Sequence, residues 1–268
     1  LPIYESMIKV HEAKAVPLPM TEAKDFSFDV ADLADLVSDD TKMLIINSPQ
    51  NPTGGVLSAA DLDDIAELAV KHDFWVLSDE IYSRIIYEGV HESIATRPGM
   101  LDRTIILEGH SKTYAMTGWR LGYGVMPAPL AEAVAKLQTN CTSCTASFTQ
   151  MAGAEALTGP QDAAKAMVAE FKTRRDILVD GLNAIEGVTC NKPRGAFYVF
   201  PNISGLGLTS KQVETRLLEE FGVAALAGTS FGAFGEGYLR FSYANSQENI
   251  RKALGRFAEF AEVARNGG

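Results

Sequence analysis

The sequence predicts an α/β protein: a mostly parallel sheet with flanking helices, followed by a smaller α+β domain. Three observations carry that expectation. From Met43 onward, short apolar runs alternate with longer amphipathic stretches. Each run has the length of a buried strand, and each stretch is long enough for a crossover helix. Beyond Gly187 the alternation gives way to a mixed series of strand and helix signals.

The elements follow in order. Met43 to Ile46 is the first strand, and Ser58 with Asp61 three residues on marks a helix start whose apolar face is Leu62, Ile65, Leu68 and Ala69. Phe74 to Leu77 completes a βαβ unit, and Thr104 to Leu107 and Leu121 to Val125 are further strands. A helical stretch begins at Glu132 to Leu137, and a long one from Pro160 to Ile185 buries Met167, Phe171, Ile177, Leu178 and Leu182. The tail reads as a strand at Ala196 to Phe200, a helix at Lys211 to Phe221, a strand at Tyr238 to Tyr243 and a last helix from Ser246 to Ala264. The domain boundary is expected inside the long helix, giving domains 1–163 and 164–268.

At 268 residues the chain is long enough to bury a core without metal or disulfides. With 46% hydrophobic and 22% charged residues, and Gly and Pro scattered, it is neither disordered nor collagen-like. The formal charge of −10 opposes phosphate backbones and anionic lipid, so neither nucleic acid nor a membrane is expected as a partner. The uncharged stretch Leu137 to Ala154, as long as any in the chain, is rich in Thr, Ser and other polar residues that hydrocarbon disfavours. Three cysteines make no disulfide framework, and with no leader before Leu1 the expected compartment is the cytoplasm.

Polar groups just after strand runs are the candidates for chemistry, because ligands of open α/β sheets collect at the carboxyl ends of the strands. Asn47-Ser48-Pro49-Gln50-Asn51-Pro52-Thr53-Gly54-Gly55 is a turn stiffened by two prolines. Asp79, at the end of the second run, has the usual place of a helix cap. Lys112 follows the third run; a desolvated lysine there serves as an amine nucleophile, although a solvated one is commoner. Arg120 stands eight residues later among aromatic and small neighbours, suited to clamp a phosphate or carboxylate.

NPTG (Asn51–Gly54), SDEIY (Ser78–Tyr82), SKTYAMTGWRLGY (Ser111–Tyr123), GAFYVFP (Gly195–Pro201) and YLRFSYA (Tyr238–Ala244) occur in the order and spacing of the fold-type I pyridoxal phosphate (PLP) enzymes. The sequence closely resembles the class I/II aminotransferases over practically its whole length, opening at Leu1-Pro2-Ile3-Tyr4. The resemblance implies that Lys112 holds PLP as a Schiff base and then shuttles the substrate proton. It further implies that Asp79 pairs with the pyridine nitrogen, that Tyr82 and Asn51 hydrogen-bond the phenolic oxygen, and that Arg120 binds the phosphate. Arg240 then grips the substrate α-carboxylate, with Asn51 beside it. Ser111 is assigned to the phosphate from its place beside the lysine; some relatives carry that serine three positions before the lysine, where this chain has Gly109.

The activity so implied is ping-pong transfer of an amino group from an L-amino acid to a 2-oxo acid, in a homodimer. Alternatives are a PLP-dependent lyase or synthase of the same fold, or a truncated silent paralogue. Family members also carry, before the position of Leu1, a Gly-rich phosphate turn and an aromatic that stacks on the ring, so the chain reads as truncated. Cys141-Thr142-Ser143-Cys144 has CxxC spacing without a second pair or a zinc-spaced histidine. Gly122-Tyr123-Gly124 begins a dinucleotide pattern that Pro127 interrupts. His11, His72, His91 and His110 form no catalytic or metal spacing, and His110 beside the lysine reads as packed or solvated.

Overall fold

The computed structural model describes residues 2–266; Leu1, where the resemblance opens, and the last two glycines lie outside the described residues. In chain order the elements are α1 (Pro2–Val10), α2 (Val30–Leu36), β1 (Met43–Asn47), α3 (Ala59–Lys71), β2 (Trp75–Asp79), β3 (Thr104–Gly109) and β4 (Gly122–Val125). There follow α4 (Ala128–Cys141), α5 (Ser147–Thr158), α6 (Asp162–Asn183), β5 (Tyr198–Val199), α7 (Ser210–Glu219), β6 (Leu226–Ala227), β7 (Leu239–Ser242) and α8 (Gln247–Arg265). None of the described helices is long and apolar enough to cross a membrane.

The chain divides into two compact units. The first comprises Ser27–Pro49 and Val56–Met167; the second takes the N-terminal segment through Phe26, the short segment Gln50–Gly55, and the chain from Val168 onward. This grouping differs from a division into 1–163 and 164–268. Side chains far apart in sequence cause the difference. Glu22 accepts hydrogen bonds from Asn202 and from the Tyr238 hydroxyl, each at 3.0 Å, and Phe26 meets Phe200 edge-on at 5.9 Å. Burial and the neighbouring Glu22 carboxylate push the Tyr238 phenol up to about 12.

In the first unit the sheet runs β1-β2-β3-β4. The first three strands are parallel, with Asn47 opposite Asp79 and Asp79 opposite Leu107. The capping box read from the sequence is present: the Asp61 amide donates to Ser58 Oγ at 3.1 Å and the Ser58 amide to the Asp61 carboxylate at 2.7 Å. It starts α3, which buries Leu62, Ile65, Ala66 and Ala69. With Leu33, Phe74, Val76, Ile85 and Ile94 these form the core, each large side chain contributing about 1.5–3 kcal/mol. β4 runs antiparallel to β3, because the connection between them holds no crossover helix and simply returns. The long helix expected from Pro160 to Ile185 is present as α6, which begins at Asp162 after α5 ends at Thr158, since proline brings no N–H to continue the α5 ladder.

In the second unit a three-stranded antiparallel sheet runs β5-β7-β6. The strand expected over Ala196–Phe200 shrinks to two residues, as Ala196 sits at φ +57° in the left-handed region and bends the chain into the pairing. Helices α6, α7 and α8 supply Phe171, Leu182, Val213, Leu217, Phe257 and Phe260 to the core. A second capping box, Thr209 with Gln212, starts α7, and the Ser246 hydroxyl caps α8.

Candidate active site

Backbone turns at strand ends arrange the candidates of the first unit. Asp79 is the last residue of β2 and is buried; its Oδ1 accepts the Ile81 N–H at 3.2 Å. No helix follows it, so the carboxylate closes a turn of the Asx kind and caps no helix. Tyr82, three residues on, is buried in the same turn. Between them Glu80 accepts from the Ser78 hydroxyl (3.0 Å) and the Ser93 hydroxyl (2.7 Å) and meets His91 Nε2 at 2.8 Å. No sequence signal singled out this cluster, whose partners lie 2 to 13 residues away.

Lys112 lies three residues beyond β3, in a tight turn where the Tyr114 amide donates to His110 O at 3.2 Å and the Ala115 amide to Lys112 O at 3.3 Å. His110 is packed, with its Nε2 3.1 Å from Gly153 O on α5 and its ring edge-on to Tyr123. At Gly109 a Cβ would stand 3.1 Å from both Gly122 Cα and Leu121 O, so a side chain there requires β4 to shift. Ser111 is half-buried, and its carbonyl accepts the Thr117 hydroxyl at 3.0 Å.

Arg120 is exposed, in the left-handed region at φ +54°, and donates to Thr117 O at 2.6 Å. It lines an open depression of about 930 Å³ with Trp119, Gln138, Cys144, Phe148 and Thr149, and is the sole charged residue of that lining. A lone guanidinium there suits a phosphate. Lys112, Asp79 and Tyr82 are not part of the lining. Cys141 and Cys144 are free and exposed, while burial pushes the thiol of Cys190 up to about 12. Among the described residues no cluster of three or more His, Cys, Asp or Glu side chains is placed to hold a metal.

In the second unit Asn51 and Arg240 come together: Arg240 Nη1 donates to Asn51 Oδ1 at 3.1 Å, across 189 residues of sequence. The NPTG turn that carries Asn51 is closed by amide bonds Gln50 to Gly55 O and Gly54 to Gln50 O, both 2.8 Å. Gly54, at φ +71°, has room for no side chain, since a Cβ would lie 2.3 Å from Pro193 Cβ and 2.9 Å from Gly195 O. Arg240 projects from β7 with Tyr198 and Phe231 against its guanidinium, neither of which the sequence reading singled out. Its Nε is buried without a hydrogen-bond partner, and it pairs with no carboxylate among the described residues. An uncompensated fork of this kind fits an incoming carboxylate. The groups of the first unit, an amine, a buried carboxylate, a phenol and a guanidinium, match by chemical type the needs of a protonated heteroaromatic ring bearing an aldehyde and a phosphate.

Comparison with known proteins agrees. The family described as aminotransferase class I and II matches residues 2–257. The chain is 43% identical over 256 residues to an aspartate aminotransferase of Pyrococcus abyssi, covering 94% of this chain and 66% of that protein. It is 41% identical to aromatic-amino-acid aminotransferase 2 of Thermococcus litoralis, with the same shares covered. A crystal structure of an aromatic aminotransferase from Pyrococcus horikoshii superposes with a TM-score of 0.91 at 42% identity, covering 94% of this chain and 68% of that one. The chain spans about two thirds of the length of the curated relatives it matches.

Proposed function

The chain belongs to the class I and II aminotransferase family, and from that premise we propose that it is the greater part of a PLP-dependent aminotransferase, moving an amino group from an L-amino acid to a 2-oxo acid. When bound, pyridoxal phosphate supplies the carbonyl carbon that takes the amino group and the ring that accepts the electrons released at the substrate Cα. Lys112 would hold the cofactor through its amine and would move the proton at the substrate Cα. Asp79 holds the ring nitrogen protonated, a charge-assisted hydrogen bond of about 1.5–3 kcal/mol. Tyr82 and Asn51 hydrogen-bond the phenolic oxygen, and Arg120 with Ser111 holds the phosphate. Arg240 orients the substrate by its α-carboxylate. The relatives differ in the amino acid that their names specify, and the α-carboxylate is what those amino acids share. A homodimer, in the cytoplasm, completes this reading, together with a cofactor-holding part and a C-terminal part that follow the family.

The observation that carries the reading lies along one sheet edge. A buried carboxylate ends β2, and an amine follows three residues beyond the end of the neighbouring β3. Lys112→Ala is expected to abolish transamination, with the fold kept, because it removes the amine that takes up the cofactor and relays the proton. The measurement is amino-group transfer to a 2-oxo acid under single-turnover conditions. Transfer at the parent rate by the variant would overturn the assignment, and elimination products from the parent would favour a lyase.

A further inference from the structure

The guanidinium of Arg240 lies over two aromatic rings, its Cζ 4.7 Å from the centroid of Tyr198 and 5.1 Å from that of Phe231. Both rings are held from behind. Tyr198 belongs to β5, paired with β7 next to Arg240, and packs on Phe197 at 4.8 Å. Phe231 meets Phe200 edge-on at 6.3 Å, and Phe200 stacks on Tyr238 at 5.0 Å with planes 1° apart. The turn that carries Phe231 is closed where Gly228 meets Gly235, so tightly that a Cβ on Gly228 would be 2.0 Å from Gly235 O. A cation over an aromatic face keeps its charge, and the N–H donors of a guanidinium point outward in its own plane. Rings against the guanidinium therefore fix the orientation of the plane in which its donors lie. Asn51 takes one of them, and an incoming anion must meet the rest edge-on.

We propose that Tyr198 and Phe231 are positioning residues that make Arg240 selective for a planar carboxylate over a tetrahedral anion of the same charge. This deepens the aminotransferase reading and rests on it for the identity of the substrate. The test is titration of the PLP-loaded protein with propionate and with ethanesulfonate, read from the Arg240 side-chain N–H signal by NMR and assigned with Arg240→Lys. Steady-state KM is measured alongside for an amino acid and for the amine that lacks its carboxylate. Phe231→Leu, which keeps an apolar side chain of similar bulk, is expected to weaken propionate binding and raise the amino-acid KM about five- to thirty-fold. The same variant should narrow the preference over ethanesulfonate, leave kcat and the amine KM within about two-fold, and lose the ring-current displacement of the N–H signal. Phe231→Tyr should restore parent behaviour, which a purely space-filling role would not require. Parent-like carboxylate selectivity in Phe231→Leu, or a Phe231→Tyr as weak as Phe231→Leu, overturns the proposal. Ring-dependent propionate binding in a protein that turns over no amino acid would uphold it and overturn the enzyme reading instead.

Discussion

The two units hold their candidate groups in different ways. In the lysine-bearing unit each group has a contact within its own turn: Asp79 closes on Ile81 two residues away, Arg120 on Thr117 three residues away, and the Lys112 carbonyl on Ala115, while the Asp79 carbonyl also accepts from the Ser48 amide and the Asn47 side chain at the end of β1. In the arginine-bearing unit they are set by partners remote in sequence. Arg240 takes Asn51 from 189 residues upstream and a ring face from Tyr198, and the turn that holds Asn51 is pinned where Arg194 and Gly195 both donate to Gly54 O at 3.1 Å. The lesson concerns vulnerability. A local turn survives changes elsewhere in the molecule, whereas a group held by remote partners inherits every error in their packing.

The largest expected effect breaks the remote arrangement at its centre. Arg240→Ala removes the charged fork and leaves a bound carboxylate unpaired, a loss of about 2–5 kcal/mol, or on the order of 30- to several-thousand-fold in kcat/KM for α-amino acids. Amines without the carboxylate should lose far less, and comparison of the two substrate sets checks it. Equal losses would mean that Arg240 supports the fold and not the substrate.

Next comes the turn beneath it. Gly54→Ala forces a Cβ onto Pro193 at a left-handed φ, so a loss of about 2–5 kcal/mol in urea unfolding is expected. The KM of the amino acid should rise, and cofactor affinity should fall with it, because Asn51 rides on this turn. If stability falls without any change in KM, the turn does not position Asn51 for substrate.

Smaller effects sharpen the contrast from the other side. Ser58→Ala removes the cap of α3 in the lysine-bearing unit and should cost about 1 kcal/mol, since one amide loses its acceptor. Because the turns at Asp79 and Lys112 are local, kcat should stay at the parent value. The mildest effect is on pH dependence. Burial holds the Glu108 carboxyl above its usual range, with Glu80 adding in the same direction against the Ser83 hydroxyl and the Gly109 amide. The folded state therefore keeps this proton more tightly than the unfolded chain, which releases it near pH 4.3. The stability it contributes is complete below that value and is lost as pH rises through the raised folded value. Glu108→Gln should flatten that part of the pH profile of the urea midpoint, and an unchanged slope would assign it to other carboxylates.

Much of the lysine-bearing unit was legible in the sequence, because its information is contiguous. The runs from Met43, Phe74 and Thr104 became the three parallel strands, and the Ser58 and Asp61 spacing became a capping box. Hydrogen bonds that close within four residues leave their signature in neighbouring letters. The ordered motifs likewise named Asp79, Tyr82, Lys112, Arg120, Asn51 and Arg240 as candidates before any fold was known. What tertiary structure alone decided is everything that joins distant residues. It placed the N-terminal segment through Phe26 with the C-terminal unit, where Glu22 meets Asn202 and Tyr238. It turned Ala196 left-handed and shortened the strand after it, and it left Gly54 no room for a side chain and Gly109 little. It set Tyr198 and Phe231 against Arg240. A single sequence shows that these residues are apolar or small, which fits any core. Which surfaces meet depends on packing between separate segments, some of them more than a hundred residues apart, and no local pattern of spacing records it.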